Sequence, residues 1–95
     1  MAKLIIAETF FSHPETYLCG YGDTCNSVEA TKLVKRIKAC DGVVEVYVQP
    51  LGMEGVDNLY IKTLDMVSVE LALIIGELHP DECGWNDALI RLWWD

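Results

Sequence analysis

The stretch VVEVYVQPLGMEGVDNLYIKTL, residues 43–64, decides the predicted fold because it alternates twice between apolar and polar side chains. One side of the extended chain carries aliphatic residues, namely Val44, Val46, Val48, Leu59 and Ile61. The other side carries polar and aromatic residues, namely Glu45, Tyr47, Gln49, Tyr60 and Lys62. A period of two is typical of strands that bury one face. With a glycine-containing turn between the two segments, we predict strands over 43–51 and 58–64 that form a β-hairpin.

Residues 26–40, NSVEATKLVKRIKAC, precede this hairpin and predict an amphipathic helix. Its apolar residues recur at helical spacing, at Ala30, Leu33, Val34 and Ile37. Asn26 is a suitable N-cap, and Glu29 follows it at the spacing of a capping box. Gly42 lies just past the helix, where glycine is favoured because it adopts a positive φ without strain.

Residues 65–80, DMVSVELALIIGELHP, predict a second helix that Asp65 would cap and Pro80 would end. The helix is apolar over most of its circumference, so one sheet cannot cover all of it. We expect additional cover from residues 12–26 or from a second copy of the chain. A C₂ homodimer is the commonest arrangement of the second kind.

The two ends of the chain complete the pattern. Residues 3–11, KLIIAETFF, are rich in β-branched and aromatic residues and predict a central strand. Residues 12–26 predict a loop with a short strand at Tyr17–Cys19. Residues 86–95, NDALIRLWWD, alternate in a way that favours a strand, and a helix capped by Asn86 or Asp87 is the alternative.

The predicted order of elements is strand, helix, strand, strand, helix, strand, which makes residues 1–95 a single α+β domain. This order resembles the ferredoxin-like βαββαβ architecture, a two-layer sandwich with a four-stranded antiparallel sheet and two helices on one face. The predicted core contains Val44, Val46, Val48, Leu33, Ile37, Leu59, Ile61, Leu71 and Ile74. Because this architecture hosts many unrelated activities, it indicates no function by itself.

The 95 residues carry a formal net charge of −8. This charge disfavours direct binding to nucleic acid and to anionic membranes, and it favours a cationic partner. The N-terminus does not resemble a signal peptide, and the longest apolar run is too short to cross a bilayer. We therefore expect a cytoplasmic protein with reduced cysteines.

Acidic residues are concentrated after residue 64, where seven carboxylates accompany a single cation, Arg91. The stretch HPDECGWND, residues 79–87, predicts an acidic loop. Exposed acids of this kind suit docking onto a basic groove of a larger protein. The candidate contacts are Glu77, Asp81, Glu82 and Asp87.

A second candidate surface is the sheet face that points away from the helices. It would show Tyr47, Tyr60 and Trp93 together with Lys62, Leu89 and Arg91. RNA-recognition domains stack bases on aromatic residues of an open sheet, but a net charge of −8 opposes that use here. We expect this face to contact protein, either a partner or the second copy of the homodimer.

The stretch CGYGDTCN, residues 19–26, places five residues between Cys19 and Cys25. Together with the Gly42-Val43 step, it is similar to heavy-metal-associated domains, which carry a Met-x-Cys-x-x-Cys loop before the first helix. The resemblance implies a copper or zinc site at Cys19 and Cys25. Two cysteines separated by two residues would form a tighter clamp for a soft metal than this spacing does. A glycine turn with unligated thiols is the favoured interpretation.

Motifs for catalysis are not recognised in the sequence: it shows no nucleophile triad, phosphate loop or dinucleotide fingerprint. Glu8, a carboxylate in an apolar segment, is a candidate for a perturbed pKa, and an ion-paired or outward-facing carboxylate is the commoner case. We expect a non-enzymatic protein without a cofactor. A small enzyme or a regulatory ligand-binding domain stays an alternative.

Our leading hypothesis is a small acidic inhibitor that occludes a basic, nucleic-acid-binding surface of a larger protein. Phage-encoded inhibitors of nucleic-acid-binding machinery, anti-CRISPR proteins among them, include small acidic proteins without catalytic motifs, and the chain is similar to them in these general properties. The alternative from another class is a carrier of copper, zinc or a small ligand that uses the loop from Cys19 to Cys25.

Overall fold

The computed structural model describes residues 3–19, 24–50, 54–64, 67–86 and 88–94. The elements within these ranges follow in chain order as β1 (Ile5–Ile6), α1 (Ala7–Phe11), β2 (Tyr17–Cys19), β3 (Thr24–Asn26), α2 (Ser27–Lys38), β4 (Val43–Val48), β5 (Gly55–Val56), β6 (Asn58–Thr63), α3 (Val69–Leu78), β7 (Glu82–Asn86) and β8 (Leu89–Trp93).

These strands form two sheets. The main sheet has five strands in the order β1-β4-β6-β8-β7, and all its neighbours are antiparallel. A small sheet has the order β3-β2-β5, with β2 antiparallel to β3 and parallel to β5. The α+β class is therefore confirmed. The predicted ferredoxin-like arrangement is wrong, because the described residues form a main sheet of five strands, a second sheet and three helices.

The first correction concerns residues 3–11, which are not a central strand. Only Ile5 and Ile6 pair with β4, at one edge of the main sheet, and the chain then turns into α1. Ala7 and Phe11 are both buried, and their spacing of four residues places them on one side of a helix. The mixture of apolar residues at odd and even positions thus came from a helical turn and not from a strand buried on both faces.

The second correction concerns residues 12–26, which contain more structure than a loop. The predicted strand at Tyr17–Cys19 is confirmed as β2, and β3 returns beside it. The turn predicted over 52–58 contributes β5, where Gly55 lies next to Tyr17. A Cβ atom added at Gly55 would overlap the tip of the Tyr17 ring, so this contact favours glycine.

The hairpin of β4 and β6 is confirmed, with Val46 opposite Ile61 and Tyr47 opposite Tyr60. Its register shifts between Val43 and Glu45, so Val44 is an extra residue of the kind found in a β-bulge. Val44 is 45% exposed as a result, and its predicted place in the core is wrong. The extra residue interrupts the period of two on which that prediction was based.

The C-terminal half has a different start for its helix and one additional strand. α3 begins after Ser68, whose Oγ accepts a hydrogen bond from the Leu71 amide at 3.1 Å. The cap predicted at Asp65 lies outside the described residues. Residues 82–86 form β7 and are not part of an acidic loop. Residues 89–93 form β8, so the predicted strand is confirmed and the alternative helix is wrong.

One hydrophobic core joins these elements. Of the predicted core residues, seven are buried, namely Val46, Val48, Ile37, Leu59, Ile61, Leu71 and Ile74, while Leu33 is partly buried against them. Leu18 and Val56 of the small sheet belong to the same core. Asn26 caps α2 by accepting the Glu29 amide at 2.9 Å, and Gly42 adopts φ 85°, both as predicted. Among the described helices, none is both long and apolar enough to cross a membrane.

Candidate protein-binding surface

The side of the main sheet that faces away from the core carries the predicted aromatic residues, and we call it the outer face. Tyr47 lies opposite Tyr60, and Tyr60 lies opposite Arg91. Lys62 lies opposite Leu89 in the adjacent row. Residues opposite each other in an antiparallel pair share a face, so the register brings this predicted set together.

Side-chain hydrogen bonds connect the aromatic residues of the outer face. Arg91 Nε donates to Tyr60 Oη at 3.1 Å, and Tyr60 Oη donates to Gln49 Oε1 at 3.0 Å. The Arg91 guanidinium also lies 5.9 Å from the centroid of the Trp93 ring, within the range of a cation–π contact. These contacts orient the ring and the guanidinium before a partner arrives.

A second set of hydrogen bonds fixes Trp93 at the end of the sheet. Trp93 Nε1 donates to Asp57 Oδ2 at 3.2 Å. The buried Asn58 side chain donates to Asp57 Oδ1 and closes on the backbone of Gln49, accepting its amide at 2.7 Å and donating to its carbonyl at 3.0 Å. Asp57 and Asn58 were not among the predicted site residues, because their position where the predicted turn meets the predicted strand gave little signal of this role.

The carboxylates of Asp57 and Glu82 border the outer face beside Trp93, and we call these two residues and the neighbouring Asp81 the acidic rim. Glu82 lies directly opposite Trp93 across β7 and β8, and Asp81 precedes it in the chain. The Glu82 carboxylate lies 3.8 Å from the Arg91 guanidinium. Ion pairs between such exposed side chains contribute about 0–1 kcal/mol, so Glu82 can exchange this cation for one on a partner.

The other predicted acidic contacts do not join the rim. Glu77 lies on α3 and pairs with Arg36 of α2 at 2.9 Å, on the helical side of the molecule. Asp87 lies outside the described residues, and its neighbour Asn86 is at the opposite end of β7 from Glu82. The predicted loop over 79–87 is wrong for residues 82–86, because these residues form β7.

The two cysteines of the predicted metal loop point to opposite sides of the β2–β3 hairpin. Cys25 lies opposite the buried Leu18 and packs against the core with it. Cys19 follows Leu18 in the same strand, so its side chain points to the other face. All four cysteines are thiols, and the described residues contain no cluster of three potential metal ligands. This geometry does not support a shared metal at Cys19 and Cys25.

Glu8, the predicted candidate for a perturbed carboxylate, takes part in a structural clamp. Lys38 Nζ lies 2.6 Å from Glu8 Oε1 and 3.1 Å from Glu45 Oε1, so it joins α1, α2 and β4. Hydrogen bonds to Glu8 and then to Glu45 raise the pKa of Lys38. Burial pushes the pKa of Glu45 upward, but hydrogen bonds from the Val46 amide and from Lys38 outweigh it and lower that pKa. The clamp connects three elements of the fold.

No known protein family, curated protein or solved structure matches the chain. Its function is therefore inferred from its surfaces, and the outer face with the acidic rim is the most distinctive of them.

Proposed function

We propose that the chain is a small, acidic, non-enzymatic binding protein that occludes a basic surface of a larger protein. The main support for the proposal is that the acidic rim and the aromatic outer face form one continuous surface. Glu82 lies opposite Trp93, and Asp57 accepts a hydrogen bond from the Trp93 indole. The binding surface consists of Tyr47, Tyr60, Arg91 and Trp93 together with the rim.

The residue types of the outer face support this proposal. Trp, Tyr and Arg are the residues most enriched among those that dominate binding energy at protein interfaces. Here they project from paired strands, and hydrogen bonds between Arg91, Tyr60 and Gln49 already restrict them. A restricted side chain loses less conformational entropy on binding, which favours affinity.

The charge supports a basic partner. A net charge of −8 with carboxylates beside an anchoring tryptophan steers the protein toward a cationic patch. A patch of that kind on a larger protein commonly serves nucleic acid, and an acidic protein that covers it competes with phosphate. More specifically, we propose that the chain inhibits a nucleic-acid-binding complex, in the way that phage-encoded anti-CRISPR proteins do. Four cysteines that are all thiols are typical of a reducing compartment, so the proposed location is the cytoplasm.

The test compares two double charge reversals that change the net charge equally. Asp81→Lys with Glu82→Lys alters the rim, whereas Glu15→Lys with Asp41→Lys alters exposed acids elsewhere. Wild type and both variants, each tagged, are used to capture proteins from nuclease-treated lysate of the organism of origin. We expect the rim variant to lose a nucleic-acid-binding protein that wild type and the control variant both retain.

Salt and competition complete this test. The captured protein should elute as salt rises, because rim charges are screened beyond a Debye length of about 10 Å at 0.1 M. Adding wild type to the captured protein should displace its nucleic acid, and the rim variant should not. Equal capture by both double variants at all salt concentrations would overturn the proposal, as would a captured protein that keeps its nucleic acid bound.

A further inference from the structure

The outer side of α3 carries an apolar stripe that the described part of the chain leaves exposed. Val69 is 76% exposed and Leu73 is 65% exposed, and the small residues Ala72 and Gly76 lie exposed beside them. The spacings of three and four residues place all four on one side of the helix, which we call the α3 stripe. Leu71 and Ile74 face the core instead.

The described residues of segment 12–26 do not supply the cover expected for this helix. Its described part packs beside α2, where Leu18 enters the core and Ser27 Oγ donates to the Pro14 carbonyl at 3.3 Å. The sequence predicted two possible covers for this helix, residues 12–26 and a second copy of the chain. Since the described part of 12–26 packs elsewhere, the second copy is the alternative that is left.

A groove lies immediately beside the stripe. It runs between α2 and α3, has a volume of about 360 Å³, and is lined by Arg36, Cys40, Leu73 and Ile74 among others. A ridge next to a groove is self-complementary under a two-fold axis, because the ridge of each copy then enters the groove of the other. Ala72 and Gly76 have small side chains or none, so they allow two helices to approach closely.

The charges around this groove select a second copy over a strongly basic partner. The groove is lined by Arg36 with Glu70 and Glu77, and the neighbouring surface of α2 carries Glu29 and Lys32 beside Arg36, so two cations stand against three acids on this side of a chain whose net charge is −8. Two acidic molecules repel each other least where their surface charges are nearly balanced. This side of the molecule is such a surface, whereas the acidic rim is not.

We propose that two copies of the chain form a C₂ dimer through the α3 stripe and the α2–α3 groove. A two-fold axis perpendicular to this surface, between the stripe and the groove, places the stripe of each copy in the groove of the other and makes the two α3 helices antiparallel. Because the main sheet separates α3 from the outer face, both copies keep their outer faces accessible. The second copy is thus proposed at α3 and not on the Tyr47, Tyr60 and Trp93 face, which the sequence had offered as another place for it.

The test measures molar mass by light scattering and sedimentation over a concentration series. Wild type should have the mass of a dimer at roughly 100 µM, where an interface with a micromolar Kd is nearly saturated. Leu73→Glu and, independently, Val69→Lys should each shift the mass to that of a monomer. Both sites are highly exposed, so thermal melting should show that the variants stay folded.

The matched control is Val28→Glu, which places the same charge on another exposed aliphatic residue, in the first turn of α2 and away from α3. It should stay dimeric. A monomeric wild type at the same concentration would overturn the proposal. So would a dimer that survives both α3 variants but is dissociated by Trp85→Glu, because the interface would then be pairing between β7 edge strands.

Discussion

Glu82 lies directly opposite Trp93 where β7 and β8 pair, at the end of the main sheet. This pairing places a carboxylate and the largest aromatic side chain of the outer face side by side. Asp57 reaches the same indole from β6's side of the sheet through a hydrogen bond of 3.2 Å. An anchor that is hydrophobic at its centre and acidic at its border suits a basic protein surface better than a nucleic acid.

Trp93→Ala should therefore weaken partner binding far more than Trp85→Ala. Truncating an interface anchor commonly costs about 2 kcal/mol or more, which corresponds to a roughly 30-fold rise in Kd. Trp85 belongs to the same hairpin but lies opposite Ile90, on the side of the sheet away from the outer face, and is 54% exposed. Titration calorimetry with the captured partner checks both variants. Equal losses of affinity would place the binding surface on the β7 edge instead.

The bulge in β4 gives a matched pair of substitutions. Val46 is completely buried, so Val46→Asp places an unpaired charge in the core and should cost several kcal/mol, roughly the whole stability of a small domain. Val44→Asp, two residues earlier, should cost less than about 1 kcal/mol because Val44 points toward solvent. Urea denaturation of both variants measures the difference. A destabilised Val44→Asp would mean that the strand alternates without a bulge.

This pair also shows how far the sequence predicts the fold. Alternation over 43–64 correctly predicted which residues of β4 and β6 face the core from Val46 onward, because strand periodicity follows directly from the geometry of the backbone. It could not predict the extra residue at Val44, since Glu45 between Val44 and Val46 fits an uninterrupted alternation of apolar and polar residues. The strand predicted over 3–11 was wrong for a related reason. Ala7–Phe11 form only five residues of helix, which are too few to distinguish a helical turn from a strand by their periodicity.

The sequence indicated the aromatic residues of the candidate surface, but it indicated only some of its acidic residues. Tyr47, Tyr60 and Trp93 followed from alternation within strands, which is local information. The rim depends on which strands are neighbours and in what register, so the meeting of Asp57, Glu82 and Trp93 was not accessible from spacing alone. The glycine at position 84 and the acids around it indicated a loop, although the segment pairs with β8 as an edge strand.

Two glycines should respond in opposite ways to alanine. Gly55→Ala places a methyl group against the Tyr17 ring, and such overpacking costs about 1–3 kcal/mol, with the low end expected because the ring tip can move. Gly76→Ala, on the exposed side of α3, meets nothing within 4 Å and should stabilise the helix by up to about 1 kcal/mol. Denaturation midpoints at a low protein concentration, where the chain is monomeric, test both. Stabilisation by both variants would contradict the contact between β5 and Tyr17.

The cysteines of the β2–β3 hairpin should behave as two independent thiols. Cys19→Ser should leave the stability nearly unchanged, whereas Cys25→Ser should cost about 1 kcal/mol because its side chain packs against the core beside Leu18. Elemental analysis of wild type and the double variant should give the same copper and zinc content. Stoichiometric metal in wild type that the double variant lacks would restore the carrier as the leading function.

The Lys38 clamp predicts how stability depends on pH. The pKa of Glu45 is lowered in the folded protein, so its contribution is complete above the ordinary pKa of a glutamate and is lost as the pH falls through the folded value. The pKa of Lys38 is raised, so its contribution is complete below the ordinary pKa of a lysine and is lost as the pH rises through the folded value. Lys38→Met removes the ammonium group and, with it, one of the hydrogen bonds that lower the pKa of Glu45. The variant should therefore be less stable at neutral pH, and its stability should depend less on pH at both extremes.

Lys35→Met, which changes an exposed lysine of the same helix, is the matched control and should keep the wild-type profile. Urea denaturation from acid to alkaline pH measures all three proteins. Identical profiles for Lys38→Met and wild type would show that the ion pairs with Glu8 and Glu45 do not persist in solution.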